Sequence, residues 1–161
     1  MNIREDKHWS YGARSLIMNA KGQRPFLAYT SVQLDKTRET VQEILKEFKD
    51  LLGARPATEE ELNSVQVNRV QGLSGRWETM TAVANSIGEL VTYGLPDSYY
   101  ETYGDQVRAV TLKDIATAAN KVLTPQNLIW VVVGDRKQIE SPLKELGYEI
   151  ICLDSDGAVV P

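Results

Sequence analysis

The sequence predicts an α+β fold in which helices cover one sheet. Two strand-like segments come first, several helical segments follow, and two more strand-like segments close the chain. Strands and helices that are segregated along the chain are typical of α+β domains. The 161 residues are enough for one domain with its own core. We expect that domain to span residues 1–153 and residues 154–161 to form a tail that frays.

The first two strand-like segments predict a hairpin. Residues 11–19 and 25–34 have strand character, and residues 21–24 between them have the composition of a turn. Because side chains of a strand alternate between its two faces, four residues of the second segment share one face. They are Phe26, Ala28, Thr30 and Val32.

The first helical segment carries one apolar stripe from Val41 to Leu52. Its apolar residues recur three and four positions apart, which is the period of an amphipathic helix. Asp35 is the expected N-cap and Gly53 the expected stop, since aspartate accepts from helical N–H groups and glycine tolerates left-handed backbone.

Two capping boxes predict where later helices begin. Thr58 with Glu61 is one, and Thr111 with Asp114 is the other. A third apolar stripe, over residues 80–91, lies between them and predicts another helix, which residues 94–97 are expected to end.

The end of the chain reads as strand, short helix and strand. Residues 127–133 form a continuous apolar run, which predicts a strand covered on both faces. Ser141 and Pro142 suit an N-cap and a first helical residue. Residues 148–153 predict a last strand that contains the only cysteine, Cys152, as a buried thiol.

Composition excludes several classes of function. The net charge is −4 and no basic block is present, which argues against nucleic acid as a partner. The longest apolar run, residues 128–133, is too short to span a bilayer. No signal peptide is expected after Met1, and the compartment is left open between cytoplasm and periplasm.

The chain lacks the residues of a self-sufficient enzyme. His8 is the only histidine and Cys152 the only cysteine, whereas zinc needs three or four suitable ligands. There is no G-x-S-x-G nucleophile turn, and residues 72–75 do not continue into a phosphate-binding loop. The unusual feature is an arginine and a tyrosine seven positions apart in residues 4–13, ahead of the first strand. They are either part of a solvated segment or a polar pair that grips a peptide carbonyl or a developing oxyanion.

Seven segments, in order, resemble the C-terminal half of pitrilysin/insulinase-family zinc peptidases. They cover nearly the whole chain, and their ordered sum is more specific than any one of them. The segments are NIREDK at residues 2–7, YGA at 11–13, PATEEEL at 56–62, YGLP at 93–96, VTLKDI at 110–115, LIWVVVGD at 128–135 and LG at 146–147.

The resemblance implies a two-layer sandwich, with a mostly antiparallel sheet covered by helices. Two similar halves of such an enzyme enclose a chamber, and one half carries H-x-x-E-H, zinc and a further glutamate ligand. The other half binds no metal but contributes an arginine and a tyrosine, which match Arg4 and Tyr11 in this sequence. By this resemblance Arg4 would hold a substrate carbonyl and Tyr11 would donate to the tetrahedral oxyanion.

The sequence also departs from the family. His8 stands where members often have glycine, and Trp9 where they often have tyrosine, so we expect a stiffer loop. The elements that would precede Asn2 are absent, which implies an N-terminally truncated domain. H-x-x-E-H is absent too, so the resemblance places zinc and the catalytic glutamate in the other half, along whose sheet edge the peptide substrate would bind.

Two alternatives stay open. The chain can be a structural or interaction subunit of the same fold without proteolytic activity, or an unrelated small α+β binding module. The presence of both Arg4 and Tyr11 favours the peptidase half, which by itself is expected to be inactive.

Overall fold

A computed structural model describes the backbone of residues 2–160 and the side chains of residues 3–160. The described residues fall into two compact units. The first unit contains residues 2–16, 27–47 and 126–160, and the second contains residues 17–26 and 48–125. In chain order the elements are β1 (Ser10–Ile17), β2 (Phe26–Val32), α1 (Thr37–Leu52), α2 (Glu59–Gly75), α3 (Met80–Tyr93), α4 (Tyr99–Ala109), α5 (Leu112–Val122), α6 (Arg136–Lys144), β3 (Cys152–Leu153) and β4 (Val159–Val160).

The predicted hairpin is present, since β1 and β2 pair in a two-stranded sheet. Its ends are extended by two main-chain bonds, from the Gln33 N–H to the Trp9 carbonyl and from the Met18 N–H to the Pro25 carbonyl, each 3.1 Å. These bonds join the start of one strand to the end of the other, so the pairing is antiparallel. The half-buried residues of β2 all lie on the face that the sequence predicts: Phe26, Thr30 and Val32.

The helix α1 ends at Leu52, directly before the predicted stop at Gly53. Its predicted N-cap, Asp35, is wrong, because the chain first makes a 3₁₀ turn over Leu34–Lys36. Asp35 lies inside that turn and its carboxylate is 3.2 Å from the Lys36 ammonium. The Thr37 hydroxyl donates to the Leu34 carbonyl at 2.8 Å, which satisfies a main-chain group of the turn instead.

The last helix, α6, begins earlier than predicted. The Asp135 side chain is its N-cap and accepts from the Lys137 N–H at 3.0 Å. The predicted start at Ser141 and Pro142 is therefore wrong, and Pro142 lies inside the helix. Pro142 has no N–H to donate within the helix, and Ile139, which is 6% exposed, packs this helix within the first unit.

The predicted strand over residues 127–133 is also wrong. None of these residues is in a strand, and only one face of the segment is partly covered by other residues. Trp130 is half-buried, with its ring 6.4 Å from that of Tyr148, whereas Ile129, Val131 and Val133 are 84–95% exposed. The segment forms no strand because no strand among residues 2–160 pairs with it, and no described residue covers its second face.

The chain ends in a small antiparallel hairpin in which Cys152 pairs with Val160. Only the last two residues of the strand predicted over 148–153 are in it, and Cys152 is half-buried rather than buried. Residues 154–160 of the expected tail form the turn and the second strand of this hairpin. The Asp154 carboxylate accepts from the N–H groups of Asp156 and Ala158, each at 2.9 Å, and Gly157 supplies the left-handed residue of the turn at φ +82°.

Both predicted capping boxes open helices of the second unit. The Thr58 hydroxyl accepts from the Glu61 N–H at 3.2 Å, and the Glu61 carboxylate accepts from the Thr58 N–H at 2.9 Å. Thr111 and Asp114 make the same reciprocal pair at the start of α5. In each box the threonine stabilises the charged carboxylate, so the pKa values of Glu61 and Asp114 lie below their usual range.

Side chains also hold the helices of the second unit together. The Gln66 amide on α2 donates to the carbonyls of Val107 and Val110, each at 3.0 Å, and so satisfies the C-terminal end of α4. The Trp77 indole N–H donates at 3.0 Å to the Ser86 hydroxyl, which is almost fully buried in α3. None of the helices between residues 2 and 160 has the length and apolar character that crossing a membrane requires.

Candidate substrate-binding site

The charged N-terminal segment is folded back onto the start of the hairpin. Residues Asn2–Asp6 form a single wide helical turn, and Ile3 within it is only 6% exposed. The Trp9 N–H donates to the Ile3 carbonyl at 3.1 Å, which closes the loop between them. The Lys7 ammonium lies 5.5 Å from the centre of the Trp9 ring, a cation–π contact that covers the outside of this loop.

Arg4 lies in the helical turn at the start of this loop, and Tyr11 lies in β1, two residues after the loop ends at Trp9. Arg4 is exposed, and the Tyr11 side chain is 100% exposed. Because Ile3 precedes Arg4 and Trp9 lies two residues before Tyr11, the Ile3–Trp9 bond brings the backbone on either side of the loop together. The structure therefore places both residues at one end of the hairpin, where each has its polar group open to a ligand.

The two side chains do not contact each other. Neither the Arg4 guanidinium nor the Tyr11 phenol makes a hydrogen bond, ion pair or ring contact with any other described residue. A free guanidinium offers five N–H donors, and a free phenol offers one O–H donor. The arrangement can therefore bind oxygen acceptors, such as the carbonyl groups of an extended peptide.

Two hydroxyl groups beside Gly12, those of Ser10 and Thr30, were not among the residues singled out from the sequence. The Ser10 and Thr30 hydroxyl oxygens are 2.7 Å apart across the hairpin, and both lie 3.0 Å from the Gly12 carbonyl oxygen. The Gly12 N–H donates to the Ser10 hydroxyl at 3.0 Å. The signal for Thr30 was its place on the inner face of the second strand, but its partner depended on the register of the hairpin.

His8 has an unusual backbone conformation within the loop. Its φ is +57°, the only positive φ of a non-glycine residue in the part of the chain that the structure describes. Left-handed backbone costs an ordinary residue about 1–2 kcal/mol, whereas glycine adopts it freely. This explains physically why a glycine suits this position in the family that the sequence resembles.

Replacing His8 by glycine is expected to raise the free energy of unfolding. The gain should be about 1 kcal/mol or less, because relief of the left-handed backbone is partly offset by the extra freedom of glycine in the unfolded chain. Urea denaturation of the chain measures it. The matched control is Lys7→Gly, at a neighbouring position where φ is not positive, which should lower stability. A loss of stability in both variants would contradict this account of His8.

A cleft in the first unit is not a candidate site. It encloses about 190 Å³ between the start of α1 and α6. Its arginine is largely paired, since Arg38 contacts Glu145 and Glu39, although the Arg38 Nε is buried without a hydrogen-bond partner among the described residues. These carboxylates raise the pKa of Arg38 above its usual value.

Three comparisons with known proteins bear on this site. A family model described as the peptidase M16 inactive domain matches residues 1–68, the part of the chain that contains Arg4, Tyr11 and Thr30. No curated protein matches the chain. The resemblance to the C-terminal half of pitrilysin/insulinase-family peptidases is therefore confirmed in the segment that carries the candidate site.

A solved structure has the same fold. It is a crystal structure of a peptidase M16 inactive domain from Pseudomonas fluorescens, with a TM-score of 0.68 and 22% sequence identity. The match covers 77% of this chain but only 29% of that chain, so the present chain spans less than a third of its length. The predicted α+β fold class is confirmed by this match.

Proposed function

We propose that this chain, which resembles the inactive domain of M16 peptidases, is the non-catalytic half of a zinc metalloendopeptidase. Its partner is a half or subunit that carries H-x-x-E-H and binds zinc, either in the same polypeptide or as a separate chain. The substrate is a peptide, held in extended conformation along a sheet edge of the zinc-bearing half. The present chain contributes contacts to that peptide and is inactive by itself.

One observation carries this proposal. Tyr11 is completely exposed at the end of an ordered hairpin, within the segment that matches the inactive-domain family model. A large aromatic side chain that contacts no described residue adds nothing to the stability of the chain. Its exposure is accounted for if the phenol meets a partner that is outside the chain.

The two exposed side chains suit different parts of a bound peptide. The N–H groups of the Arg4 guanidinium form charge-assisted hydrogen bonds to a substrate carbonyl. The Tyr11 O–H donates to the oxygen that gains negative charge as the peptide carbonyl becomes tetrahedral. Arg4 thus serves binding and Tyr11 serves the reaction.

We assign no zinc site to the residues that the structure describes. Among the described residues, no group of three histidine, cysteine, aspartate or glutamate side chains could hold a metal ion. The proposal therefore assigns the metal, and the chemistry that it supplies, to the zinc-bearing half. What this chain does is bind the peptide and donate hydrogen bonds to it.

Reconstitution with the zinc-bearing half tests the proposal. The chain alone should cleave a fluorogenic peptide no faster than buffer, because it has no group that activates water. With the zinc-bearing half, whether added as a second chain or supplied by the full-length polypeptide, peptide cleavage should appear and depend on both components. Full activity of the zinc-bearing half without this chain would contradict the proposal and favour a purely structural subunit.

A further inference from the structure

We propose that Ser10 and Thr30 are positioning residues for Tyr11. This inference rests on the proposed function, since it describes how the phenol is aimed at the substrate. The observation behind it is the hydroxyl pair, Ser10 and Thr30, whose oxygens are 2.7 Å apart and which together bond both main-chain polar atoms of Gly12, the residue after Tyr11.

The hydrogen bonds of the hydroxyl pair form a closed set. The Gly12 N–H donates to the Ser10 oxygen, which fixes one bond. Each hydroxyl has one proton, so one of the pair donates to the Gly12 carbonyl while the other donates to its partner. Both possible arrangements use every proton, and both hold Gly12 from the same side of the hairpin.

Holding Gly12 also holds the backbone of Tyr11. The Tyr11 carbonyl and the Gly12 N–H belong to one planar peptide unit, so a bond to that N–H limits the rotation of Tyr11 about ψ. The acceptor of the bond is the side chain of Ser10, the residue on the other side of Tyr11. Tyr11 is therefore held between two residues that are bonded to each other.

Among the described residues no side chain packs against Tyr11, which is 100% exposed. The direction of its phenol therefore depends on its own side-chain rotamer and on the backbone of β1, which the pairing with β2 also holds. Gly12 would by itself make that backbone loose, and neither space nor strain requires a glycine there. A Cβ built on Gly12 would meet nothing within 4 Å, and its φ is not positive. The hydroxyl pair offsets the freedom that Gly12 introduces.

Such positioning has a catalytic consequence. A hydrogen-bond donor stabilises a transition state only when it already points to the place where charge develops. A misplacement of about 1 Å can lower a rate roughly 100-fold. A Ser–Thr pair that only stabilised the hairpin would change stability without changing the rate that depends on Tyr11.

The test combines substitutions at both hydroxyls with one at Tyr11 in the reconstituted peptidase. Ser10→Ala and Thr30→Val should each lower kcat by about 10-fold, with a smaller change in KM, because the phenol is misplaced in the transition state. Ser10→Thr and Thr30→Ser keep the hydroxyls and should restore most of kcat. In the Tyr11→Phe background, Ser10→Ala should have no further effect on kcat.

The outcomes separate this inference from the proposed function. If Tyr11→Phe lowers kcat but Ser10→Ala lowers it by the same factor with and without the phenol, Ser10 acts independently of Tyr11 and the inference is overturned. If Tyr11→Phe leaves kcat unchanged, the assigned role of Tyr11 fails, and with it the catalytic part of this inference.

A measurement on the chain alone tests whether the hydroxyl pair restricts the backbone of Tyr11, and it needs no enzyme activity. Backbone ¹⁵N order parameters of Tyr11 and Gly12 should be near 0.85 in the unsubstituted chain and fall below about 0.6 in Ser10→Ala. Ser10→Thr should retain the higher values. Order parameters that stay the same in Ser10→Ala would overturn the inference whether or not the peptidase is active.

Discussion

Replacing Tyr11 by phenylalanine is expected to lower the kcat of the assembled peptidase about 100- to 1,000-fold. The change removes one hydroxyl group and keeps the ring, so it removes the hydrogen bond to the developing oxyanion and little else. The loss of a single donor of this kind typically has that size. Because Tyr11 is fully exposed and has no contacts with described residues, the stability of the chain should not change. Steady-state cleavage of a fluorogenic peptide measures kcat, and thermal unfolding checks stability.

The control for Tyr11→Phe is Tyr148→Phe in the same unit. Tyr148 is 41% exposed, and its ring contact with Trp130 is kept by phenylalanine. This variant should retain full kcat. A Tyr11→Phe enzyme with the kcat of the unsubstituted enzyme would show that the phenol does not stabilise the transition state.

Replacing Arg4 by alanine is expected to raise KM by about 10- to 100-fold. A hydrogen bond to a charged group contributes about 1.5–3 kcal/mol, and the guanidinium is proposed to hold a carbonyl away from the bond that is cut. Such a contact is as strong in the bound substrate as in the transition state, so kcat should change much less than KM. Initial rates over a range of peptide concentrations separate the two parameters.

Arg14→Ala is the matched control for Arg4→Ala. Arg14 is an exposed arginine of β1, so its loss changes the net charge by the same amount in the same unit. It should leave KM close to the original value, whereas Arg4→Lys should recover only part of the affinity, because lysine cannot form a two-pronged contact. Equal increases in KM for Arg4→Ala and Arg14→Ala would indicate a general charge effect instead of a specific contact.

The parts of the fold that depend on neighbouring residues were predicted correctly. The capping boxes at Thr58 and Thr111 begin the helices that they were expected to begin. Gly94 ends α3 with φ at +62°. These features were predictable because a cap or a left-handed glycine is completed within a few residues, so that no distant partner is needed.

Several errors concern features that depend on distant partners, whereas the N-caps expected at Asp35 and Ser141 were assigned to the wrong nearby residue. Residues 127–133 have the apolar composition of a covered strand, but they form none because no other described strand pairs with them. Pro142 was expected to start a helix, yet Asp135 caps that helix seven residues earlier. Val159 and Val160 pair with Leu153 and Cys152 in a hairpin, and the polar composition of the residues between them does not predict this pairing.

The candidate site divides in the same way. Arg4 and Tyr11 were found from the sequence, through an unusual residue pattern and a family resemblance that the comparisons confirm. Ser10 and Thr30 are 20 residues apart, and their contact depends on how the two strands are aligned. A shift of one residue in that alignment would place Thr30 on the opposite face from Ser10.

The sequence by itself determined the α+β class, the starts of α2 and α5 and the two side chains proposed to meet the substrate, because these depend on residue type and short spacing. The tertiary structure alone decided which apolar segment lacks a second cover, where the last helix begins, and which hydroxyl groups hold the backbone beside Tyr11. The physical reason is that hydrogen bonds and burial between distant residues depend on strand register and packing, which no short stretch of sequence specifies.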